Sequence, residues 1–218
     1  YVFCRMHVEF EYISKLLPFL GFDNPFVNTN LNLTDEDFCA YKAIENELRH
    51  DVKAIEVFLR THLVKIAPSF DKNEYIHIAL TSQDINYVGF MIGYKNAFNY
   101  ILSLVLKYLK QFESLIKMCD GIVIMTRTHG QPAVPSTFSK ELYVHYHAIM
   151  NQYQKLNEFV NNELTAKFGG AIGNFNAHYF AFPDKNWIEF ADEFVASFGL
   201  KRSKFTGQID DYTSICQS

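Results

Sequence analysis

The stretch from residue 82 to residue 118, SQDINYVGFMIGYKNAFNYILSLVLKYLKQFESLIKM, contains no proline and carries apolar residues in nearly every turn. An unbroken helix over this stretch would be about 55 Å long at 1.5 Å per residue. A helix that is apolar on most sides must be covered inside a bundle or between subunits. The apolar residues that would surround this helix are Ile85, Val88, Ile92, Phe98, Ile101, Leu104, Val105, Leu109, Phe112 and Leu115.

Further amphipathic helices are predicted on both sides of this stretch. Thr34 and Asp37 form a capping box, and Gly21 and Gly199 suit the position after a helix. Two prolines exclude regular helix from the segment 127–135. Because no period-two alternation extends beyond a few residues, the predicted class is all-α, built on long bundle helices. Helical spacing predicts the other helices at about 8–20, 35–48, 52–63, 136–167 and 185–198.

The composition is that of a packed globular chain, since 49% of the 218 residues are hydrophobic and 16% are aromatic. A net charge of −4 gives no basic surface for nucleic acid, although local cations still suit a small anion. No signal peptide is visible, and the apolar stretches are too interrupted to span a membrane. The four cysteines form no CxxC pair and indicate free thiols in a reducing compartment, so we expect a cytoplasmic protein.

Four short polar segments stand out from the apolar helices around them. The first three have a purely structural interpretation, because Asp51 can cap a helix, Thr81 and Asp84 can form a capping box, and His129 can bond to loop backbone. The segments are RHDVK (49–53), TSQDIN (81–86), RTHGQP (127–132) and GNFNAH (173–178).

The same segments also suit chemistry on an anionic substrate. Thr81 and Ser82 place two hydroxyls and free N–H groups at the positive end of the long helix, where a carboxylate or phosphate can bind. His129 lies on a loop stiffened by Pro132 and Pro135, and imidazole is the usual proton donor near neutral pH.

Taken together, these segments resemble the adenylosuccinate lyase family of the fumarase/aspartase superfamily, especially its bacterial-type branch. The resemblance covers nearly the whole chain, in the order and spacing of that family. The run RTHGQPAVPST (127–137) is its most specific part. The other matching segments are HDVKA (50–54), IHIALTSQDIN (76–86), Lys140-Glu141, GNFNAH (173–178) and GQID (207–210).

The resemblance implies a β-elimination that releases fumarate from a succinylated purine nucleotide, in a homotetramer with shared active sites and without a cofactor or metal. It implies that His129 is the general acid that protonates the departing purine nitrogen. The implied substrate-binding residues are Arg49, His50, Asp51, Thr81, Ser82 and Gln208, with Thr81 and Ser82 at a succinyl carboxylate, His50 near the phosphate, and Gln208 at the nucleotide. His77, Lys140 and Asn176 are expected to support these residues.

The sequence also departs from the family pattern. No Met is followed by Pro, so the family's Met-Pro-x-Lys-x-Asn-Pro loop, which follows the serine base, is absent, and so is the N-terminal Arg-Tyr arm. Arg49 stands where some relatives carry Asn, and the spacing at 208–212 is shorter than expected. The chain begins at Tyr1 rather than Met. We therefore expect an excerpt of a longer protein that is inactive alone, with 1–80 ending an N-terminal helical domain and 81–218 beginning the central long-helix domain.

Two alternatives remain open at this point. One is another lyase of the superfamily, such as argininosuccinate lyase, fumarase or aspartase. The other is a non-catalytic helical relative that serves only in oligomerisation, although bundle stability does not require the polar loop at 127–132. The histidines offer no metal-ligand set, because His145 and His147 at i, i+2 would face apart on a helix.

Overall fold

The computed structural model describes residues 1–209 and 212–216. It is mainly helical, which confirms the all-α class. The helices are α1 (Val2–Leu20), α2 (Asp35–Leu48), α3 (Asp51–Ile66), α4 (Ser82–Met118), α5 (Phe138–Glu158), α6 (Asn176–Ala181), α7 (Trp187–Ala196) and α8 (Thr213–Cys216), with a 3₁₀ turn at Asn73–Tyr75 and a π-helical turn at Phe159–Glu163. The strands are β1 (Val123–Thr128), β2 (Gln131–Thr137), β3 (Thr165–Ala166) and β4 (Lys201–Arg202).

Several predicted helices are confirmed at or near their predicted ends. The long helix α4 has the bounds predicted for it, and α1 ends before Gly21, which adopts a left-handed conformation with φ 90°. The capping box of α2 is present, because the Thr34 side chain accepts from the Asp37 N–H and the Asp37 side chain accepts from the Thr34 N–H. The predicted helix at 185–198 is the shorter α7, whose first turn is capped by Asn186.

The predicted helix at 136–167 is wrong at both ends. Residues 136 and 137 belong to β2, and the Thr137 side chain caps α5 by accepting from the Lys140 N–H. At the other end, the π-helical turn is followed by β3, which pairs with β4 in parallel. This pairing draws the backbone out of helical geometry, so Lys167 does not lie on a helix.

The segment predicted only to be non-helical forms an antiparallel hairpin of β1 and β2. Both strands of a two-stranded sheet are edge strands, so Pro132 and Pro135 can lie in β2 without disrupting a central ladder. The strands are mostly exposed, which explains why they show no alternation of apolar and polar residues.

The chain forms two compact units. Among the described residues, the first unit comprises 1–94, 164–209 and 212–216, and the second comprises 95–163. A domain boundary near residue 80 stays a prediction.

The core of the first unit surrounds α1. Tyr12 packs against Phe168, Phe190 and Phe194, with ring centroids 5.9 to 6.1 Å apart. Two charged residues of α1, Arg5 and Glu9, are buried in this otherwise apolar environment. They lie one helical turn apart, so both can contact the elements that cover the same side of α1.

The second unit contains the later part of α4, the hairpin and α5. Its buried cluster is Leu109, Ile116 and Tyr146, and the Tyr146 hydroxyl donates a hydrogen bond to the Glu113 carboxylate. Many large apolar side chains of α4 in this unit are exposed. Among them are Tyr100, Ile101, Leu104, Tyr108, Leu115 and Met118.

Candidate active site

A cavity in the first unit collects three of the residues singled out from the sequence, namely His50, His77 and Ser82. Its volume is about 290 Å³, and it lies where the start of α3, the loop 76–81 and the start of α4 meet. Val52, Lys53 and Glu56 complete its lining.

His50 is the residue that caps α3. Its backbone is extended, with φ −145°, and its Nδ1 accepts a hydrogen bond of 3.1 Å from the Lys53 N–H. The expectation that Asp51 caps this helix is therefore wrong, since Asp51 is the first helical residue. An Nδ1 that accepts a hydrogen bond carries no proton, so the neutral His50 ring holds its proton on Nε2.

Asp51 is held by a buried arginine that the sequence analysis did not identify. Arg5 Nη1 donates to Asp51 Oδ2 and, at 3.0 Å, to Asn86 Oδ1, while Nη2 lies 3.4 Å from the Tyr41 hydroxyl. Burial opposes ionisation of Asp51, but the hydrogen bond from Arg5 lowers the pKa of this carboxyl below its ordinary value. Asp51 is therefore a charged, fixed group beside His50.

Gly89 on α4 makes the close approach of Arg5 possible. A Cβ atom at residue 89 would lie 2.7 Å from Arg5 Cγ and 3.2 Å from the Arg5 backbone. The signal that sequence reasoning missed is this combination of a charged residue on the apolar face of α1 and a glycine inside a long helix.

Arg49, His50 and Asp51 also line a second, more open groove of about 510 Å³. Arg49 ends α2 in a left-handed conformation with φ 55°, and its side chain is exposed. This groove places a guanidinium and an imidazole at the surface, beside the carboxylates of Glu45 and Asp51. The guanidinium and the imidazole can donate to an anionic group.

The start of α4 is held by a buried ion pair. The Asp84 carboxylate accepts from the Thr81 N–H at 3.0 Å, as expected of a capping residue, and lies 2.6 Å from Lys167 Nζ. It also accepts from the backbone N–H groups of Gly169 and Gly170, at 3.1 and 3.0 Å. Asp84 and Lys167 are both fully buried, so the pair fixes the Thr81-Ser82 end of α4 against the glycine-rich segment.

The segment GNFNAH contains a buried histidine rather than a cluster of exposed polar groups. Asn176 begins α6 and is exposed, whereas His178 is fully buried among Phe168, Phe175 and Trp187. Neither ring nitrogen of His178 has a hydrogen-bond partner among the described residues. Burial lowers the pKa of His178 to about 4, so the ring is neutral at pH 7.

His129 and Lys140 belong to the second unit. His129 is exposed at the tip of the hairpin, where His129 and Gly130 have φ 53° and 78° and connect the paired residues Thr128 and Gln131. Positive φ at both central residues is the pattern of a type I′ hairpin turn. Lys140 lies on α5, exposed and 2.8 Å from the Glu141 carboxylate.

Gln208 lies after β4 in the first unit and is exposed. The predicted short spacing at 208–212 involves residues 210 and 211, which lie outside the described residues. Of the residues predicted from the sequence, the structure therefore brings His50, His77 and Ser82 to one cavity. Arg49 and Asp51 lie at the adjoining groove, which His50 also lines.

Comparison with known proteins identifies the family of the chain. The sequence pattern of a family described as lyase matches residues 28–216, and the chain belongs to this family, which is part of the helical fumarase/aspartase superfamily. Its curated relatives include adenylosuccinate lyase of Escherichia coli strain K12, which is 36% identical over 85% of this chain and 40% of the relative. Adenylosuccinate lyase of Dictyostelium discoideum is 34% identical over 97% of this chain and 48% of the relative.

Adenylosuccinate lyase of Haemophilus influenzae is 33% identical over 98% of this chain and 48% of the relative. The chain thus spans less than half the length of these relatives. Among the described residues, no helix is both long and apolar enough to cross a membrane.

Proposed function

We propose that the complete protein is an adenylosuccinate lyase. It would release fumarate from adenylosuccinate to give AMP, and from the succinylated imidazole carboxamide ribotide in the same way. The observation that carries the proposal is the cavity lined by His50, Lys53, His77 and Ser82 beside the Asp51 groove. The family membership and the names of the relatives support it.

The proposed reaction is a β-elimination. A base removes the proton from the carbon next to a succinyl carboxylate, the electron pair forms the double bond of fumarate, and the carbon–nitrogen bond to the purine breaks. His129 donates its proton to the departing nitrogen. Its position at an exposed turn supports this role, because the imidazole is accessible to a substrate.

The binding roles follow the character of each side chain. Thr81 and Ser82 bind a succinyl carboxylate at the start of α4, where N–H groups and the helix dipole favour an anion. Arg49, His50 and Asp51 form the nucleotide side of the pocket, with His50 near the phosphate, and Gln208 contacts the nucleotide. Lys140 and Asn176 support the site. The serine base belongs to a loop that these 218 residues do not contain, so we propose that this chain has no turnover alone.

We also propose that the complete protein is a cytoplasmic homotetramer whose active sites are shared between subunits. The exposed apolar side chains of α4 in the second unit support an assembly, since exposed apolar patches usually mark interfaces. Light scattering on the complete protein tests this, and a stable, active monomer would contradict it.

The decisive experiment measures fumarate release by the complete protein from adenylosuccinate and, separately, from argininosuccinate. Thr81→Ala and Ser82→Ala should raise KM more than they lower kcat, because their hydrogen bonds exist in both the ground state and the transition state. Ser103→Ala is the matched control, since Ser103 is an exposed serine further along α4. Turnover of argininosuccinate alone would contradict the proposed substrate.

A further inference from the structure

The buried carboxylate of Glu9 needs an explanation that packing does not provide. Its side chain is fully buried in the middle of α1, and Oε1 lies 2.6 Å from Nδ1 of His77. The other oxygen, Oε2, is buried without a hydrogen-bond partner among the described residues. An ionised carboxylate in this position costs several kcal/mol of desolvation, which an apolar side chain would avoid.

His77 is held in place from α1 at two points. Its backbone is left-handed, with φ 65°, and Ala79 has φ 62° in the same loop. The Tyr12 hydroxyl donates a 2.7 Å hydrogen bond to the Ile78 carbonyl, next to the Glu9 contact with the ring. Left-handed residues other than glycine carry a conformational cost and are found where the surroundings impose them, often at functional sites.

The His77 ring lines the cavity that contains His50, Lys53 and Ser82. Because Nδ1 faces Glu9, Nε2 is the nitrogen that remains for a ligand in this cavity. The carboxylate of Glu56, which also lines the cavity, lies 2.8 Å from both Lys53 Nζ and Arg60 Nη2. Its negative charge is therefore balanced by Lys53 and Arg60, of which Arg60 also contacts Glu74.

We propose that Glu9 is a positioning residue that holds the His77 ring with an N–H at Nε2 facing the cavity, where it binds a carboxylate or phosphate oxygen. The assignment rests on the proposed function, because this is the same site. When Glu9 and His77 share one proton between Oε1 and Nδ1, the assignment holds for either position of that proton. If the proton is on His77, both ring nitrogens carry hydrogen. If it is on Glu9, the carboxyl donates to Nδ1 and the neutral ring keeps its hydrogen on Nε2.

The electrostatics of the pair agree with this geometry. Burial raises the pKa of Glu9, against the opposing effect of its hydrogen bond to His77. Burial lowers the pKa of His77, but the Glu9 carboxylate outweighs it and raises that pKa above the ordinary value. The other charged groups that act on the pair are Glu56, Lys53 and Asp84. Both directions favour the state in which the pair keeps a shared proton.

The test compares Glu9→Gln with the unmodified complete protein. Isotope-labelled histidine, assigned with His77→Gln, reports the protonation of the His77 ring by NMR, and calorimetry reports the affinity for inorganic phosphate and for fumarate. We expect the pKa of His77 to fall in Glu9→Gln, and the affinity for at least one of the two anions to fall about tenfold at pH 7. Glu11→Gln, the same change two residues along α1 at a partly exposed position, should alter neither.

An unchanged His77 titration and unchanged affinity for both anions in Glu9→Gln would overturn the proposal. If Glu9→Gln does not fold, the unmodified protein decides, because an Nε2 without hydrogen at pH 7 also overturns it. None of these measurements requires turnover. A complete protein that releases no fumarate but shows the expected His77 behaviour would contradict the proposed function and not the role of Glu9.

Discussion

The cavity of the first unit and the hairpin tip of the second unit present their histidines in opposite ways. His77 is held by a buried carboxylate 68 residues away in the sequence, and Asp51, beside His50, is held by Arg5. His129 is exposed, and its conformation comes from a two-residue turn. Tertiary contacts therefore hold the binding groups of the first unit in position, whereas local turn geometry is sufficient to expose His129, the proposed acid.

The largest expected effect concerns His129 at the exposed hairpin tip of the second unit. His129→Asn should lower kcat of the complete protein by about 100- to 10,000-fold, because it removes the proton donor for the leaving nitrogen. The melting temperature should change little, because Asn accepts the left-handed conformation that His129 adopts. Fumarate release and thermal unfolding are measured on the same preparation.

The control for this variant is His145→Asn, which changes an exposed histidine of α5 in the same unit. A His129→Asn protein that turns over normally would show that the histidine serves only the turn. A protein that loses stability and keeps its rate per folded molecule would show the same.

The next largest effect concerns the buried ion pair between Asp84 and Lys167 in the first unit. Lys167→Met leaves the Asp84 carboxylate in the core with only backbone donors, and removal of one partner of a buried ion pair costs about 3–5 kcal/mol. Denaturant unfolding measures the loss. Lys42→Met is the control, since it breaks a surface pair with Glu45 that should contribute little. Equal losses for the two variants would show that burial of the Lys167 pair has no special importance.

The smallest expected effect is a dependence of stability on pH. The pKa of His178 is about 4 in the folded chain and 6.5 without burial, so the unfolded chain binds an extra proton between these values. Stability should therefore decrease as the pH falls from about 6.5 towards 4, by about 3 kcal/mol at most. In His178→Leu this part of the pH dependence should disappear, while His145→Gln should retain it. Melting curves between pH 7 and pH 4.5 provide the measurement, and parallel curves for all three proteins would contradict the prediction.

The features that could be predicted from the sequence are those with local causes. The absence of proline and the dense apolar residues predict α4, and Thr34 with Asp37 predicts the start of α2. The hairpin was missed because its strands are exposed and contain two prolines, which argue against helix but do not indicate strand. The predicted helix at 136–167 extends too far at its C-terminal end, because local periodicity does not reveal the pairing of β3 with β4.

The candidate site was predicted by residue type and family pattern, but not by its supporting contacts. Asp84 seemed fully explained as a capping residue, so nothing in its neighbourhood pointed to Lys167. Glu9 and Arg5 could have been noticed as charged residues on an apolar helical face, although their side-chain hydrogen-bond partners lie 36 or more residues away. Contacts of this range depend on the folded chain and not on any short pattern.

The separation of Asp84 and Lys167 also has a consequence for synthesis of the chain. The two residues are 83 positions apart, and a ribosome adds about 5–20 residues per second, so Asp84 waits roughly 4–17 s for its partner. Residues 95–163 of the second unit are all made during this interval. Until Lys167 has been made, the Asp84 carboxylate at the Thr81-Ser82 end of α4 lacks its buried counter-charge. We therefore expect a chaperone to bind the nascent first unit mainly during this interval.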